Sequence, residues 1–130
     1  MPKYVYPAIF LKEEVGYSVR FPDIAGCNTQ GETLSDAIEK AEDALNLILY
    51  TFEEEDLPIN PPSDIRTLTL EQNEISSLVA CDTLEYRKFF DNKAVKKTLT
   101  IPSWLNTMSE RANVNFSSVL QEALMNKLNI

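Results

Sequence analysis

The sequence predicts an α+β protein: a small antiparallel sheet with a long helix packed on it, followed by a short strand-helix-helix segment that needs a second copy of itself. Three observations predict this. Apolar residues alternate with a period of two near the start, recur every three or four residues from position 34, and make the same switch again after position 94.

Tyr4 to Leu11 is dense in aromatic and branched residues, and Gly16 to Phe21 alternates apolar with polar, so both read as strands. Between them Lys12-Glu13-Glu14-Val15-Gly16 is a polar turn with one glycine, which makes a β-hairpin the simplest connection. Pro22 to Gly26 breaks the strand, and Cys27-Asn28-Thr29-Gln30-Gly31 returns as a short third strand or extended loop. From Thr33 the period lengthens: Leu34, Ala37, Ile38, Ala41, Leu45, Ile48 and Phe52 fall on one face of a helix, with Asp36, Glu39, Lys40, Glu42 and Asp43 elsewhere. Thr33 is the expected N-cap, and Asp36 lies near the positive end of the helix dipole.

The helix ends on Glu53-Glu54-Glu55-Asp56, where carbonyl dipoles disfavour negative charge. Two readings account for the run: a solvated, fraying end, or part of a surface that meets a basic partner. Leu57 to Ser63, with three prolines, cannot continue the helix and runs as an extended linker. Ile65 to Leu70 and Ser76 to Cys81 are further strand candidates, and Glu85 to Asn92, anchored by Phe89 and Phe90, reads as a short helix or hinge.

Composition removes whole classes of chemistry. With no histidine, and with Cys27 and Cys81 far apart, a tetrahedral zinc set and any Ser-His or Cys-His nucleophile lack their parts. No catalytic residue, metal or cofactor is expected, and the cysteines are expected as buried free thiols. The apolar runs fall short of the ~20 residues that cross a bilayer, and the opening residues lack a secretory pattern, so the expectation is a cytoplasmic protein with no membrane partner. Residues 1–92 carry 7 Lys and Arg against 18 Asp and Glu, net −11, while residues 93–130 carry 5 against 2, net +3. A basic tail on an acidic body implies two partners, phosphate for the tail and a cationic surface for the body.

Gly16-Tyr17, Val19, Phe21-Pro22-Asp23-Ile24, Gly26-Cys27, Thr29, Gly31, Thr33-Leu34 and Ala37, followed by Pro61-Pro62-Ser63, closely resemble the amino-terminal domain of HicB-type antitoxins. The resemblance implies a partial ribonuclease H-like fold that sequesters a HicA-type toxin, a small basic ribonuclease that cleaves mRNA. The motif residues themselves have folding duties: proline after Phe21 lacks a ladder donor, and Gly26 and Gly31 permit positive φ or close approach. Toxin contacts are therefore expected on the surrounding acidic surface, with Glu53, Glu54, Glu55 and Asp56 as candidates.

In the tail, Val95 to Ile101 is a strand stopped by Pro102, and Trp104, Leu105, Met108 and Ala112 have helical spacing. Asn113-Val114-Asn115 interrupts, after which Phe116, Val119, Leu120, Ala123, Leu124 and Leu128 form a second amphipathic helix with Asn115 or Ser117 as N-cap. One strand cannot satisfy its own edges, and so short a segment buries too little surface to fold alone. The whole segment resembles the ribbon-helix-helix fold, in which two strands pair antiparallel over four helices. Leu99 and Ile101 then face inward and join Trp104, Leu105, Met108, Phe116, Val119, Leu120 and Leu124 in the dimer core. Lys96, Thr98 and Thr100 face outward to a DNA major groove, where threonine and lysine can address base edges. Strict alternation turns Lys97 inward; a local shift of register puts Lys97 rather than Lys96 on the DNA. Asn115, Ser117 and Ser118, at a helix start, are candidates for phosphate contact.

These readings combine into an antitoxin of a type II toxin-antitoxin system. Residues 1–84 hold the toxin, 85–92 form a hinge, and 93–130 assemble as a homodimer or tetramer that binds operator double-stranded DNA and represses the operon. A stand-alone ribbon-helix-helix repressor with an acidic sensor domain would share the tail, as would a dimerisation clip with no DNA role. An adjacent reading frame encoding a small basic protein separates an antitoxin from a stand-alone repressor. A metal-dependent nuclease is the enzymatic alternative, drawing on Asp23, Glu39 and Asp43, and an assay with magnesium or manganese tests it.

Overall fold

Ten consecutive residues, Lys3–Lys12, form the central strand β1 in the computed structural model, which describes residues 3–130. The expected hairpin joins β1 to β2 (Tyr17–Arg20), closed by the Glu13 N–H donating to the Gly16 carbonyl at 3.1 Å. β3 (Asn28–Gly31) pairs with β2, and β4 (Glu74–Asp82) pairs with the other side of β1, giving an antiparallel sheet in the order β3-β2-β1-β4. Its register puts Tyr4, Tyr6, Ala8 and Phe10 on one face with Val19, Val79 and Cys81. Helix α1 (Leu34–Glu54) covers that face with Ala37, Ala41, Leu45 and Leu49, all fully buried.

The buried stripe of α1 is rotated from the one that periodicity indicated. Leu49 lies inside, whereas Leu34 and Ile38 remain 40% and 42% exposed. Small side chains at 37 and 41 explain the rotation, because the helix comes down on the sheet where there is no side chain to meet it. A Cβ on Gly31 would lie 2.4 Å from the Ala37 nitrogen. Thr33 caps the helix as expected, accepting from the Asp36 N–H at 3.1 Å. Cys27 and Cys81 are free and buried; burial pushes their thiols up to about 11 and about 12, which leaves them protonated at neutral pH.

The proline linker is tied to the turn between β2 and β3. Asp23 accepts from the Ser63 N–H at 2.9 Å and from the Ser63 hydroxyl, and its own carbonyl accepts from the Asn60 amide at 3.1 Å. The buried Tyr6 hydroxyl donates to the Asn60 carbonyl. Asp23 and Ser63, distant members of the sequence motif, therefore meet.

Ile65 to Leu70, expected as a strand, is not one. Ile65–Thr67 is a single 3-10 turn, because Asp64 accepts from the Arg66 N–H at 2.9 Å, pairs with its guanidinium at 2.7 Å, and offers its carbonyl to the Thr67 hydroxyl at 2.7 Å. Local bonds of this kind compete with a ladder, and β4 fills the place beside β1 instead. Of the two readings for the stretch after β4, the helix is found through Phe90. Helix α2 (Thr83–Phe90) starts where Asp82 accepts from the Leu84 and Glu85 N–H groups, and Tyr86 stacks on Tyr50 of α1 with ring centroids 5.3 Å apart. Residues 85–90 lie within this helix, and residues 91–102 carry neither helix nor ladder.

The chain divides into two compact units, Met1–Lys93 and Ala94–Ile130. The second contains α3 (Ser103–Arg111) and α4 (Phe116–Leu128), separated by a turn with Asn113 at φ 55°. Val95 to Ile101, expected as a strand, has no ladder partner among the described residues.

Candidate functional site

The second unit has helices but no interior. Asn115 fills the cap position of α4, its side chain accepting from the Ser118 N–H at 3.1 Å, and Ser117 sits inside the first turn with its hydroxyl accepting from Gln121 at 3.0 Å. Neither α3 nor α4 contains a buried residue. Trp104 is 65% exposed and Met108 63%, and Leu99, Ile101, Leu105, Phe116, Val119 and Leu124 are exposed as well, with Leu120 half-buried. So many large apolar side chains on so few residues form a surface that water does not favour. Lys96, Lys97, Thr98 and Thr100 are all exposed on the segment before α3, and no ladder fixes which of the two lysines shares a face with the threonines.

In the first unit, the acidic run at the end of α1 is divided by its partners. Glu53 accepts from the Tyr4 hydroxyl at 2.7 Å, the Thr83 hydroxyl at 2.8 Å and Arg87 at 3.1 Å. Glu54 takes the other terminal nitrogen of Arg87, while Glu55 and Asp56 are exposed and make no ion pair among the described residues. Burial works to raise the Glu53 pKa, but the hydrogen bonds from Tyr4, Thr83 and Arg87 outweigh it and hold the carboxyl below its ordinary value. The helix end does not fray: the Glu55 N–H donates to the Thr51 carbonyl at 3.0 Å, and Arg87 supplies the cation that the last turn of α1 lacks.

A family described as HicB_like antitoxin of bacterial toxin-antitoxin system matches residues 6–127, which takes in both units. The chain belongs to the HicB-like antitoxin family. It is similar to a chain of a toxin-antitoxin complex from Streptococcus pneumoniae, at 30% identity and a TM-score of 0.63, covering 96% of this chain and 99% of that one. It is also similar to a chain of a HicA3 and HicB3 toxin-antitoxin complex, at 30% identity and a TM-score of 0.52, covering 61% of this chain and 99% of that one. In sequence it is 29% identical over 101 residues to an uncharacterized 14.9 kDa protein in the rep-hol intergenic region of Haemophilus phage HP1 (strain HP1c1), covering 78% of this chain and 75% of that protein. The α+β fold expected from the sequence, a small antiparallel sheet under a long helix, is found and is shared with the Streptococcus pneumoniae toxin-antitoxin chain.

In this HicB-like antitoxin Glu53 is committed to the fold, and of the four acidic candidates only Glu54, Glu55 and Asp56 are exposed. The residue that sequence reasoning missed is Arg87, whose signal was a lone arginine on a helix one face of which meets α1. Among the described residues no group of three or more Cys, Asp or Glu side chains is placed to hold a metal ion, and no helix is long and apolar enough to cross a membrane.

Removing Glu53 tests its structural role. Glu53→Ala leaves the Tyr4 and Thr83 hydroxyls and Arg87 without their shared acceptor, an expected loss of about 2–3 kcal/mol at pH 7. Because the folded-state pKa is lowered, this contribution is fully present above the ordinary carboxylate range and disappears as pH falls through the lowered value. Urea titrations of the two proteins should therefore differ most at neutral pH and draw together as pH falls below the ordinary carboxylate range; a gap that widens on acidification contradicts the assignment.

Proposed function

We propose that this antitoxin neutralises a HicA-type ribonuclease with its first unit and, as a homodimer in the cytosol, represses its own operon through the second. The exposed apolar set on the second unit carries the reading. A second copy buries it: two Val95 to Ile101 segments pair antiparallel, and Leu99 and Ile101 turn under the ribbon onto Trp104, Leu105, Met108, Phe116, Val119, Leu120 and Leu124 of both chains. Thr98 and Thr100 then lie on the outer face with one of Lys96 and Lys97, where they address bases in the major groove, while Asn115, Ser117 and Ser118 at the start of α4 clamp a phosphate. The net +3 of residues 93–130 favours this end for DNA, and the net −11 of residues 1–92 favours the other for a cationic protein. The similarity to a chain of a HicA3 and HicB3 complex supports a HicA-type partner.

Purified antitoxin added to the ribonuclease encoded by the adjacent reading frame should abolish RNA cleavage at equimolar ratio; a toxin left fully active by excess antitoxin overturns this half. For the DNA half, Thr98→Ala and Thr100→Ala should each weaken operator binding by ~1–3 kcal/mol while the dimer mass stays constant. Unchanged affinity in a gel-shift titration refutes the groove assignment. Alanine at Lys96 and at Lys97, one at a time, identifies the outer lysine as the one whose loss reduces the salt slope of binding by about one unit.

A further inference from the structure

One side of the first unit carries chemistry that its fold leaves unused. At 3.6 residues per turn, Glu39, Asp43, Leu47, Tyr50 and Glu54 run along the side of α1 away from Ala37, Ala41, Leu45 and Leu49. Glu39 and Asp43 are exposed and form no ion pair among the described residues, and Leu47 is exposed between them and Tyr50. From Tyr50 a run of four rings continues onto α2: Tyr50 to Tyr86 at 5.3 Å, Tyr86 to Phe90 at 4.4 Å, and Phe90 to Phe89 at 4.8 Å between centroids. Arg87 lies 4.6 Å from the centroid of the Tyr50 ring and is held by Glu53 and Glu54. The outer two rings, Phe89 and Phe90, are 75% and 65% exposed.

Thr83, Tyr86 and Arg87 already fasten α2 to α1, so the two phenylalanines do little for the fold. Their rings offer a large apolar area with few rotatable bonds to freeze, on a base held by stacking and by an ion pair. About 10–16 Å of helix back along α1 from Tyr50, the unpaired carboxylates decide which partner approaches. The acidic body of a second copy is repelled, whereas a cationic protein gains from both parts of the surface.

We infer that the cationic toxin docks on this α1–α2 side, with Phe89 and Phe90 as anchors and Glu39 and Asp43 as the charged flank. The inference rests on the reading that the chain holds a HicA-type toxin. It also moves the contact surface away from Glu53, which the fold consumes, to carboxylates half a helix earlier.

The test uses the full-length chain, with the purified small basic protein of the adjacent reading frame as probe. Two double variants are compared with the wild type: Phe89→Ser with Phe90→Ser, and Glu39→Lys with Asp43→Lys. The ring variant should bind the probe at least ~30-fold more weakly, through faster dissociation. The charge variant should associate about tenfold more slowly and with less dependence on salt. Dimer mass and operator affinity should be unchanged in both. Wild-type affinity in both variants overturns the inference and leaves the antitoxin reading intact, as does a ring variant that loses its dimer mass or its operator but keeps the probe. A wild-type chain that fails to bind the probe overturns the antitoxin reading itself.

Discussion

A chain carrying Leu99→Ser and Ile101→Ser is expected to be monomeric at micromolar concentration and to bind operator DNA on the order of a hundredfold or more weakly. The substitutions add no charge, so lost affinity cannot be traced to electrostatics at the phosphates. Leu99 and Ile101 are 59% and 45% exposed in the single chain, as are their neighbours on α3 and α4. With no buried residue in either helix, nearly all the apolar burial of this unit in the proposed dimer comes from the second copy. Each fully buried Leu or Ile contributes roughly 1.5–3 kcal/mol, and a two-fold interface counts every position twice. Four lost side chains therefore exceed what a small dimer interface can spare. Each chain would then reach DNA alone, without the gain that comes from joining two half-sites. Sedimentation of the full-length protein checks the mass and a gel-shift titration checks the operator; a variant that still sediments as a dimer refutes the proposed ribbon.

The elements that the sequence displays well are those whose stabilisation is local. The α1 start is legible because Thr33 and Asp36 carry their bonds within one turn, and the hairpin is legible because Gly16 closes it four residues after β1 ends. Ile65 to Leu70 misleads for the same reason in reverse: its alternation matches a strand, but Asp64 beside Arg66 closes a turn first. Asp23 against Ser63 and Glu53 against Arg87 could not be read, because separations of 40 and 34 residues leave no periodic trace. The acidic run illustrates the cost. Four carboxylates in a row look equivalent in sequence, yet the fold takes one entirely and shares a second. In the tail, the pattern of apolar residues announced that something must cover them, while the register of Lys96 and Lys97 rests on the proposed pairing of two chains, for which the described residues hold no ladder.

Gly31→Ala is expected to be among the most damaging conservative changes in the first unit. The added methyl carbon would sit 2.4 Å from the Ala37 nitrogen, 2.5 Å from its Cα and 2.9 Å from its Cβ, all belonging to the first turns of α1. No flexible side chain is there to give way, so either the helix lifts or β3 leaves the sheet. Lifting the helix uncovers Ala37 and Ala41, which are fully buried, and parting β3 loosens its pairing of Tyr17 with Gly31. Overpacking of this kind costs about 3 kcal/mol or more, a large share of the ~5–15 kcal/mol that keeps a domain folded. Gly26→Ala provides the contrast: Gly26 has φ 79° with nothing within 4 Å of the added carbon, so the cost is that of left-handed backbone alone, roughly 1–2 kcal/mol. Denaturant midpoints of the two full-length variants should rank accordingly. Equal midpoints would mean that the approach of α1 to β3 is soft, and that the buried alanine stripe, rather than the glycine beneath it, sets how closely the helix meets the sheet.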